Sequence, residues 1–90
     1  MEQTSCRVVI KGRVQGVMFR ASCAHVAKRE NITGYAKNLP DGSVEVLLEG
    51  DASAVKKVLS WCHQGPATAR VDAVNIHNVP ASNNIDFTVL

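Results

Sequence analysis

The sequence predicts an α+β sandwich in which two helices cover one face of an antiparallel sheet. Alternating apolar and polar residues mark several short strands, and apolar residues spaced three and four apart mark two helices. These segments follow in the order strand, helix, strand, strand, helix, strand, with a short extra strand at the end. Two consecutive split βαβ units of this kind form a ferredoxin-like sandwich, which is the fold we expect.

The composition indicates an ordinary globular protein. Residues 1–90 are enough for one domain but not for two, and apolar residues make up 46% of the chain against 20% charged. A formal net charge of +2 with scattered basic residues argues against a nucleic-acid or membrane partner. The first residues lack the features of a signal peptide, and no apolar run is long enough to span a membrane. We therefore expect a cytoplasmic protein, and we expect it to be a monomer.

The first strand and the first helix flank a loop that contains glycines. In the strand, Cys6, Val8 and Ile10 alternate with other residues, which predicts one buried face. The helix is predicted over residues 20–31, and no Ser, Thr, Asp or Asn stands just before its start to cap it. Its predicted buried face consists of Phe19, Cys23, Val26 and Ala27.

A hairpin and a second helix follow. Strands are predicted over residues 32–39 and 43–49, joined by the turn Pro40-Asp41-Gly42. Asp51 is suited to cap the second helix, and Gly65-Pro66 ends it. The predicted buried face of this helix consists of Val55, Val58, Leu59 and Cys62.

The last strands and the outer face of the sheet complete the predicted fold. A fourth strand is predicted around residues 71–79, and a short closing strand places Ile85, Phe87 and Val89 on one face. On the outer face of the sheet, acidic residues of the third strand are expected to pair with basic residues of the first strand. The predicted partners are Glu45 and Glu49 on one side and Arg7 and Lys11 on the other.

The loop between the first strand and the first helix is the candidate functional element. It reads Gly-Arg-Val-Gln-Gly-Val-Met-Phe-Arg over residues 12–20. Glycines in a tight turn allow positive φ angles, so several peptide N–H groups can point inward and form an anion site. The uncapped helix start adds free N–H groups. The guanidinium of Arg20, in the first helical turn, can donate two parallel hydrogen bonds to two phosphate oxygens. The alternative is a glycine turn with two solvated arginines.

Asn38, at the end of the second strand, is the next candidate site residue. In the predicted topology the first and second strands run in the same direction with the third strand between them. Their C-terminal ends therefore reach the same edge of the sheet, about 10 Å apart, which places Asn38 across from the loop. Its amide both donates and accepts hydrogen bonds, which suits holding a water molecule near a bound phosphate.

Two segments resemble the signature motifs of acylphosphatases. One is the loop sequence at residues 12–20, and the other is Gly-Tyr-Ala-Lys-Asn-Leu-Pro-Asp-Gly-Ser-Val at residues 34–44, with Gly50 following. Gly65-Pro66 and the Ala-Arg-Val-Asp sequence at residues 69–72 are also similar to that family. The resemblance therefore spans nearly the whole chain.

The resemblance implies a small enzyme that hydrolyses the carboxyl–phosphate bond of acyl phosphates without a metal or another cofactor. It implies that Arg20 binds the phosphoryl group and that Asn38 orients the attacking water. Inorganic phosphate is then the product or an inhibitor. The resemblance further implies a cradle of backbone N–H groups, which we call the N–H cradle. Its donors are Gln15, Gly16, Val17, Met18 and Phe19.

The remaining reactive side chains do not predict a metal site. No two of the three histidines have metal-ligand spacing, and no cysteine joins them in a short motif. Cys6, Cys23 and Cys62 form no Cys-x-x-Cys motif and occupy apolar-face positions, which is typical of small buried hydrophobic residues. Cys23 lies one turn after Arg20, which leaves open a sensitivity of the activity to thiol oxidation.

Three other functions are compatible with the predicted fold. RNA-binding sheets stack bases on aromatic side chains, and this chain has only one Trp, one Tyr and two Phe. Metal carriage uses a cysteine pair in the first loop, which holds none. A non-catalytic anion sensor would keep the N–H cradle without turnover. Asn38 argues against a sensor, and the site rather than the fold decides between these functions.

Overall fold

The computed structural model describes residues 2–90, which form two helices and five strands. The strands are β1 (Gln3–Arg13), β2 (Thr33–Asn38), β3 (Val44–Asp51), β4 (Arg70–Asn78) and β5 (Phe87–Val89), and the helices are α1 (Phe19–Arg29) and α2 (Ala52–Cys62). This is the predicted order of elements. Within residues 2–90 we find no helix with the length and apolar character needed to cross a membrane.

The strand order across the sheet is β4-β1-β3-β2-β5. β3 pairs antiparallel with both β1 and β2, and β4 pairs antiparallel with β1, which confirms the predicted arrangement and the common direction of β1 and β2. The closing strand departs from the prediction of an antiparallel sheet, because β5 pairs parallel with β2. After β4 the chain passes the end of the sheet at which β2 begins, so it enters β5 in the direction of β2. The complete sheet is therefore mixed.

Both helices pack on the face of the sheet that carries the alternate apolar side chains of the strands. Val8 and Ile10 of β1 and Leu48 of β3 are fully buried there. Each such side chain stabilises the fold by about 1.5–3 kcal/mol relative to an exposed position. The helices contribute the predicted faces, with Leu59 only partly buried. Their fully or largely buried members are Phe19, Cys23, Val26, Ala27, Val55, Val58 and Cys62.

The predicted ion pairs between β3 and β1 do not form within residues 2–90. The register explains this, because Arg7 lies opposite Leu47 rather than a glutamate, and Lys11 lies beyond the last β1–β3 pair. Glu45 instead accepts a hydrogen bond at 2.6 Å from the hydroxyl of Tyr35 on β2. Burial, and then this contact with the carboxylate, raises the pKa of Tyr35 to about 12.

Glu49 anchors the segment that leads from β4 to β5. Its buried carboxylate accepts hydrogen bonds from the Ser5 hydroxyl at 2.9 Å, from the side-chain amide of Asn84 at 2.8 Å, and from the main-chain N–H of Ser82. Burial alone raises the pKa of Glu49, but the hydrogen bonds outweigh burial and hold the pKa below its usual value. The carboxylate thus fixes the segment between β4 and β5 on the outer face of the sheet.

Only part of the predicted closing face is buried. Phe87 is buried as predicted, whereas Ile85 is 97% exposed and Val89 is 46% exposed. The closing strand begins at Phe87, so Ile85 lies in the bend before it, where strand alternation does not apply. The prediction of a three-residue apolar face was therefore wrong for Ile85 and overstated for Val89.

Candidate active site

The loop between β1 and α1 contains two residues with left-handed backbone conformation. Gly16 has φ +73°, as the glycine pattern predicts. Met18, the residue that caps the start of α1, has φ +66° and ψ +22°. This conformation costs a side-chain-bearing residue free energy, and no sequence pattern predicted it at Met18.

The peptide N–H groups of this loop have no acceptor within residues 2–90. The first N–H of α1 that donates within the chain is that of Ser22, which bonds to the Met18 carbonyl at 3.0 Å. The N–H groups that precede it include those of the N–H cradle, from Gln15 to Phe19. No side chain caps the helix start either. Unused donors at the positive end of a helix dipole favour the binding of an anion.

The side chain of Gln15 ties the loop to the turn between β2 and β3. Its Nε2 donates hydrogen bonds to the main-chain oxygens of Leu39 at 2.8 Å and Ser43 at 2.9 Å. Asp41 closes this turn, because its carboxylate accepts hydrogen bonds from the hydroxyl and the N–H of Ser43. These two hydrogen bonds lower the pKa of Asp41. Sequence reasoning gave Gln15 only a backbone role and missed this side-chain contact.

The turn after α2 supports the loop from behind. Gly65 packs so closely on Phe19 that an added Cβ would lie 2.8 Å from Phe19 Cε2, and the Phe19 ring also packs on Trp61 with centroids 5.1 Å apart. The Thr68 hydroxyl donates a hydrogen bond to the Val17 carbonyl at 2.9 Å. The sequence marked Gly65 as the end of a helix, but it held no signal for these contacts with the loop.

Arg20 lies half-buried in the first turn of α1, as predicted. Its Nη1 donates a hydrogen bond to the main-chain oxygen of Leu90. The N–H of Leu90 in turn donates to the Ala36 carbonyl of β2 at 2.9 Å. The guanidinium is therefore held between the start of α1 and the end of β5. Its remaining N–H groups have no acceptor within residues 2–90, so they are available to an anion.

Asn38 is the last residue of β2 and is exposed. The next residue, Leu39, accepts the hydrogen bond from Gln15, so the end of β2 and the loop meet through one side chain. The strand order also places β3 between β1 and β2, as predicted. Asn38 and the loop thus lie at the same edge of the sheet.

The other reactive side chains are not gathered at this edge. His25 and His77 are exposed on α1 and β4, and His63 follows α2 with its Nδ1 2.9 Å from the Leu59 carbonyl. Within residues 2–90, no three or more His, Cys, Asp or Glu side chains are arranged to hold a metal ion. Hydrogen bonding between Cys23 and Cys62, together with burial, holds the pKa of Cys62 well above its usual value.

A crevice of about 620 Å³ lies at the opposite end of the sheet, beside Ser5, Glu49 and Asn84. The Glu49 carboxylate is already satisfied there by its hydrogen bonds to these neighbours. At the loop, by contrast, peptide N–H groups and the guanidinium of Arg20 keep donors that have no acceptor within residues 2–90. We therefore place the candidate active site at the loop and not at this crevice.

Comparison with known proteins identifies the family. The family model described as Acylphosphatase matches residues 6–89. An acylphosphatase from Rubrobacter xylanophilus is 50% identical over 76 residues, which cover 84% of this chain and 69% of that relative. An acylphosphatase from Roseiflexus sp. is 43% identical over 91 residues, which cover 100% of this chain and 98% of that relative.

A solved structure supports the same assignment. The structure of an acylphosphatase from Coxiella burnetii matches this fold with a TM-score of 0.94 at 34% identity, covering 98% of this chain and 93% of that chain. A match of this extent confirms the predicted fold as well as the resemblance found in the sequence. The chain therefore belongs to the acylphosphatase family, and it is an enzyme that hydrolyses acyl phosphates.

Proposed function

We propose that the N–H cradle and Arg20 bind the phosphoryl group of the acyl phosphate, and that Asn38 orients the water that attacks phosphorus. One observation carries this proposal: the unused peptide N–H groups of residues 15–19 stand directly before Arg20, whose guanidinium also has unused donors. A dianionic phosphoryl group matches both sets of donors.

The reaction is an in-line displacement at phosphorus. Water attacks, the bond between phosphorus and the carboxyl oxygen breaks, and the carboxylate leaves with the bonding electron pair. A carboxylate is a good leaving group at neutral pH, so the reaction needs neither a strong general acid nor a metal ion. The protein has to position the reactants and stabilise negative charge. The proton of the attacking water passes to a phosphate oxygen of the substrate in this proposal.

Charge stabilisation falls to the backbone and Arg20. In a loose phosphoryl transition state the negative charge spreads over the equatorial oxygens, where peptide N–H donors and the guanidinium meet it. Asn38 lies at the end of β2, at the edge of the sheet across from these donors, and its side chain is exposed. It is free to accept a hydrogen bond from the attacking water. Inorganic phosphate, the product, is expected to compete for the same site.

The test is the release of phosphate from acetyl phosphate and benzoyl phosphate in excess EDTA. Wild type is compared with Arg20→Ala and Asn38→Ala, and exposed residues of the same type provide the controls Arg29→Ala and Asn75→Ala. We expect chelator-resistant turnover in wild type and both controls. Turnover should fall at least about a hundredfold in Arg20→Ala, with a severe loss in Asn38→Ala.

Two results would contradict this mechanism. Loss of activity in EDTA that returns with added metal would show that a metal ion takes part. Near-normal turnover in folded Arg20→Ala would show that Arg20 does not bind the phosphoryl group.

We also propose that the protein is a monomer, and sedimentation of the wild type should give the mass of a monomer.

A further inference from the structure

The peptide that joins Val17 to Met18 is held from one side by a residue outside the loop. The Thr68 hydroxyl donates a hydrogen bond to the Val17 carbonyl at 2.9 Å. This peptide is trans, like the others that the structure describes, so its N–H points in the direction opposite to its carbonyl. The contact with Thr68 therefore also fixes the direction of the Met18 N–H.

The backbone strain at Met18 favours rotation of this peptide. At φ +66° a methionine is in a strained backbone conformation, whereas glycine would adopt it freely. A half-turn of the Val17–Met18 peptide would bring φ of Met18 to a negative value, outside the left-handed region. The same rotation would exchange the positions of the N–H and the carbonyl. An oxygen would then face the anion site, and a phosphate would be repelled.

We infer that Thr68 is a positioning residue, whose hydroxyl holds the Val17–Met18 peptide with its N–H toward the anion site. This inference rests on the proposed role of the N–H cradle. The hydrogen bond opposes the rotation that would relieve the strain at Met18. The packing of Phe19 against Gly65 and Trp61 holds the ring of the following residue, whereas the hydrogen bond from Thr68 is made to this peptide itself. The hydroxyl of Thr68 thus acts through the backbone and does not touch the substrate.

A shift in the peptide's orientation has a recognisable kinetic signature. If only a fraction of the molecules hold the N–H inward, the apparent dissociation constant rises by the inverse of that fraction. Bound phosphate selects the correct orientation, so turnover at saturation changes little. Loss of one neutral hydrogen bond corresponds to about a five- to tenfold change in such an equilibrium. A general loss of stability would lower the active fraction and leave KM unchanged.

The experiment compares Thr68→Val with Thr68→Ser, which keeps the hydroxyl. The matched control is Thr33→Val, because the Thr33 hydroxyl also contacts a main-chain carbonyl, that of Glu49, but at the opposite end of the sheet. For Thr68→Val we expect KM for acetyl phosphate and Kd for inorganic phosphate to rise together by more than about twofold, with the roughly five- to tenfold change in the equilibrium as the upper limit. Its kcat should stay within about twofold. Thr68→Ser and Thr33→Val should match wild type within about twofold in both constants.

Phosphate binding is measured by titration of the amide resonances of residues 15–20, which does not depend on turnover. If wild type binds phosphate and Thr68→Val binds it equally well, the inference is overturned while the proposed function stands. If wild type binds phosphate without hydrolysing acyl phosphate, the catalytic proposal fails and the Thr68 comparison still decides through Kd. Should Thr68→Val not fold, Thr68→Ala removes the same donor.

A second comparison tests the strain itself. Asparagine tolerates the left-handed conformation better than methionine, so Met18→Asn reduces the tendency of the peptide to rotate. In the Met18→Asn background, Thr68→Val should raise Kd for phosphate by less than about twofold. An equally large rise in both backgrounds would show that strain at Met18 does not drive the rotation, and would overturn the inference.

Discussion

The guanidinium of Arg20 donates a hydrogen bond to the main-chain oxygen of Leu90, which lies 70 residues further along the chain. The first turn of α1 is thereby attached to β5, which itself pairs with β2. One donor of the guanidinium is used for this attachment, and the others point to no acceptor within residues 2–90. The contact orients the guanidinium of Arg20 before any substrate binds, so this side chain loses less conformational entropy on binding.

Arg20→Lys keeps the positive charge but removes the planar fork. An ammonium group cannot hold the Leu90 oxygen and two phosphate oxygens in the same fixed geometry. We expect kcat/KM for acetyl phosphate to fall at least about a hundredfold, measured by phosphate release. Arg29→Lys, in the last turn of α1, is the control and should be unaffected. Retention of more than a tenth of the activity by Arg20→Lys would mean that charge alone suffices.

Gln15→Leu removes the two hydrogen bonds that join the loop to the β2–β3 turn. Both acceptor carbonyls keep another donor, since Gly42 N–H bonds to Leu39 and Leu39 N–H bonds to Ser43. The free energy of unfolding should therefore fall by only about 1 kcal/mol. The spacing between the loop and Asn38 would loosen, so kcat should fall on the order of ten- to a hundredfold.

The control for this change is Gln3→Leu, an exposed glutamine on β1. Chemical denaturation gives the stability of both variants, and phosphate release gives their rates. A loss of kcat that only matched the loss of folded protein would contradict a specific link between the loop and Asn38.

Gly65→Ala tests the support behind the loop. The added methyl group would lie 2.8 Å from the buried Phe19 ring, at a backbone φ of +69°. Gly42→Ala is the matched control, because it has φ +95° but nothing within 4 Å of its Cβ position. We expect Gly42→Ala to cost about 1 kcal/mol of stability and Gly65→Ala at least about 2 kcal/mol. Thermal unfolding should show equal shifts if the contact with Phe19 is unimportant.

Glu49 should make the stability of the fold depend on acid. Its pKa is lower in the folded protein than in the unfolded chain, so the folded state binds fewer protons and loses stability as the pH falls below about 4.5. Glu49→Gln should remove this dependence and cost about 1–3 kcal/mol at neutral pH, because buried donors lose a charged acceptor. Denaturation midpoints between pH 3 and pH 7 measure both effects.

The control for Glu49 is Glu30→Gln. Glu30 forms ion pairs with Arg29 at 3.9 Å and Lys57 at 3.7 Å on the surface, which contribute little to stability. Glu30→Gln should therefore change the free energy of unfolding by no more than about 1 kcal/mol. An unchanged acid profile in Glu49→Gln would assign the acid sensitivity to another carboxylate.

Local patterns were sufficient to predict most of the fold. The alternation around Val8 and the helical spacing around Cys23 each reflect one buried face, and both faces are buried as predicted. The partners of Glu45 could not be predicted in this way, because they depend on the register that places Arg7 opposite Leu47. Ile85 was misplaced because alternation says nothing about the residue at which a strand begins.

At the candidate site too, local sequence motifs predict some features and leave others unpredicted. Arg20, Asn38 and the N–H cradle follow from motifs that are contiguous in sequence. The contacts that hold the site together join distant segments, as Thr68 does with Val17 and Arg20 with Leu90. A single side chain that reaches a main-chain oxygen in another segment leaves no periodic signal in the sequence.

The central position of β1 has a consequence for how the chain reaches its folded state. β1 is among the first segments of the chain, yet it pairs with β3 at residues 44–51 and with β4 at residues 70–78. Neither pair of strands can form through a short hairpin. The chain must therefore lose the entropy of closing long loops before the contacts of the core can form. Folding rates fall as the mean sequence separation of the contacts rises, so mixed α/β domains fold more slowly than helical bundles. The chain is therefore expected to fold slowly for its size, with the anion site assembled only when β1, α1 and the C-terminal segment have met.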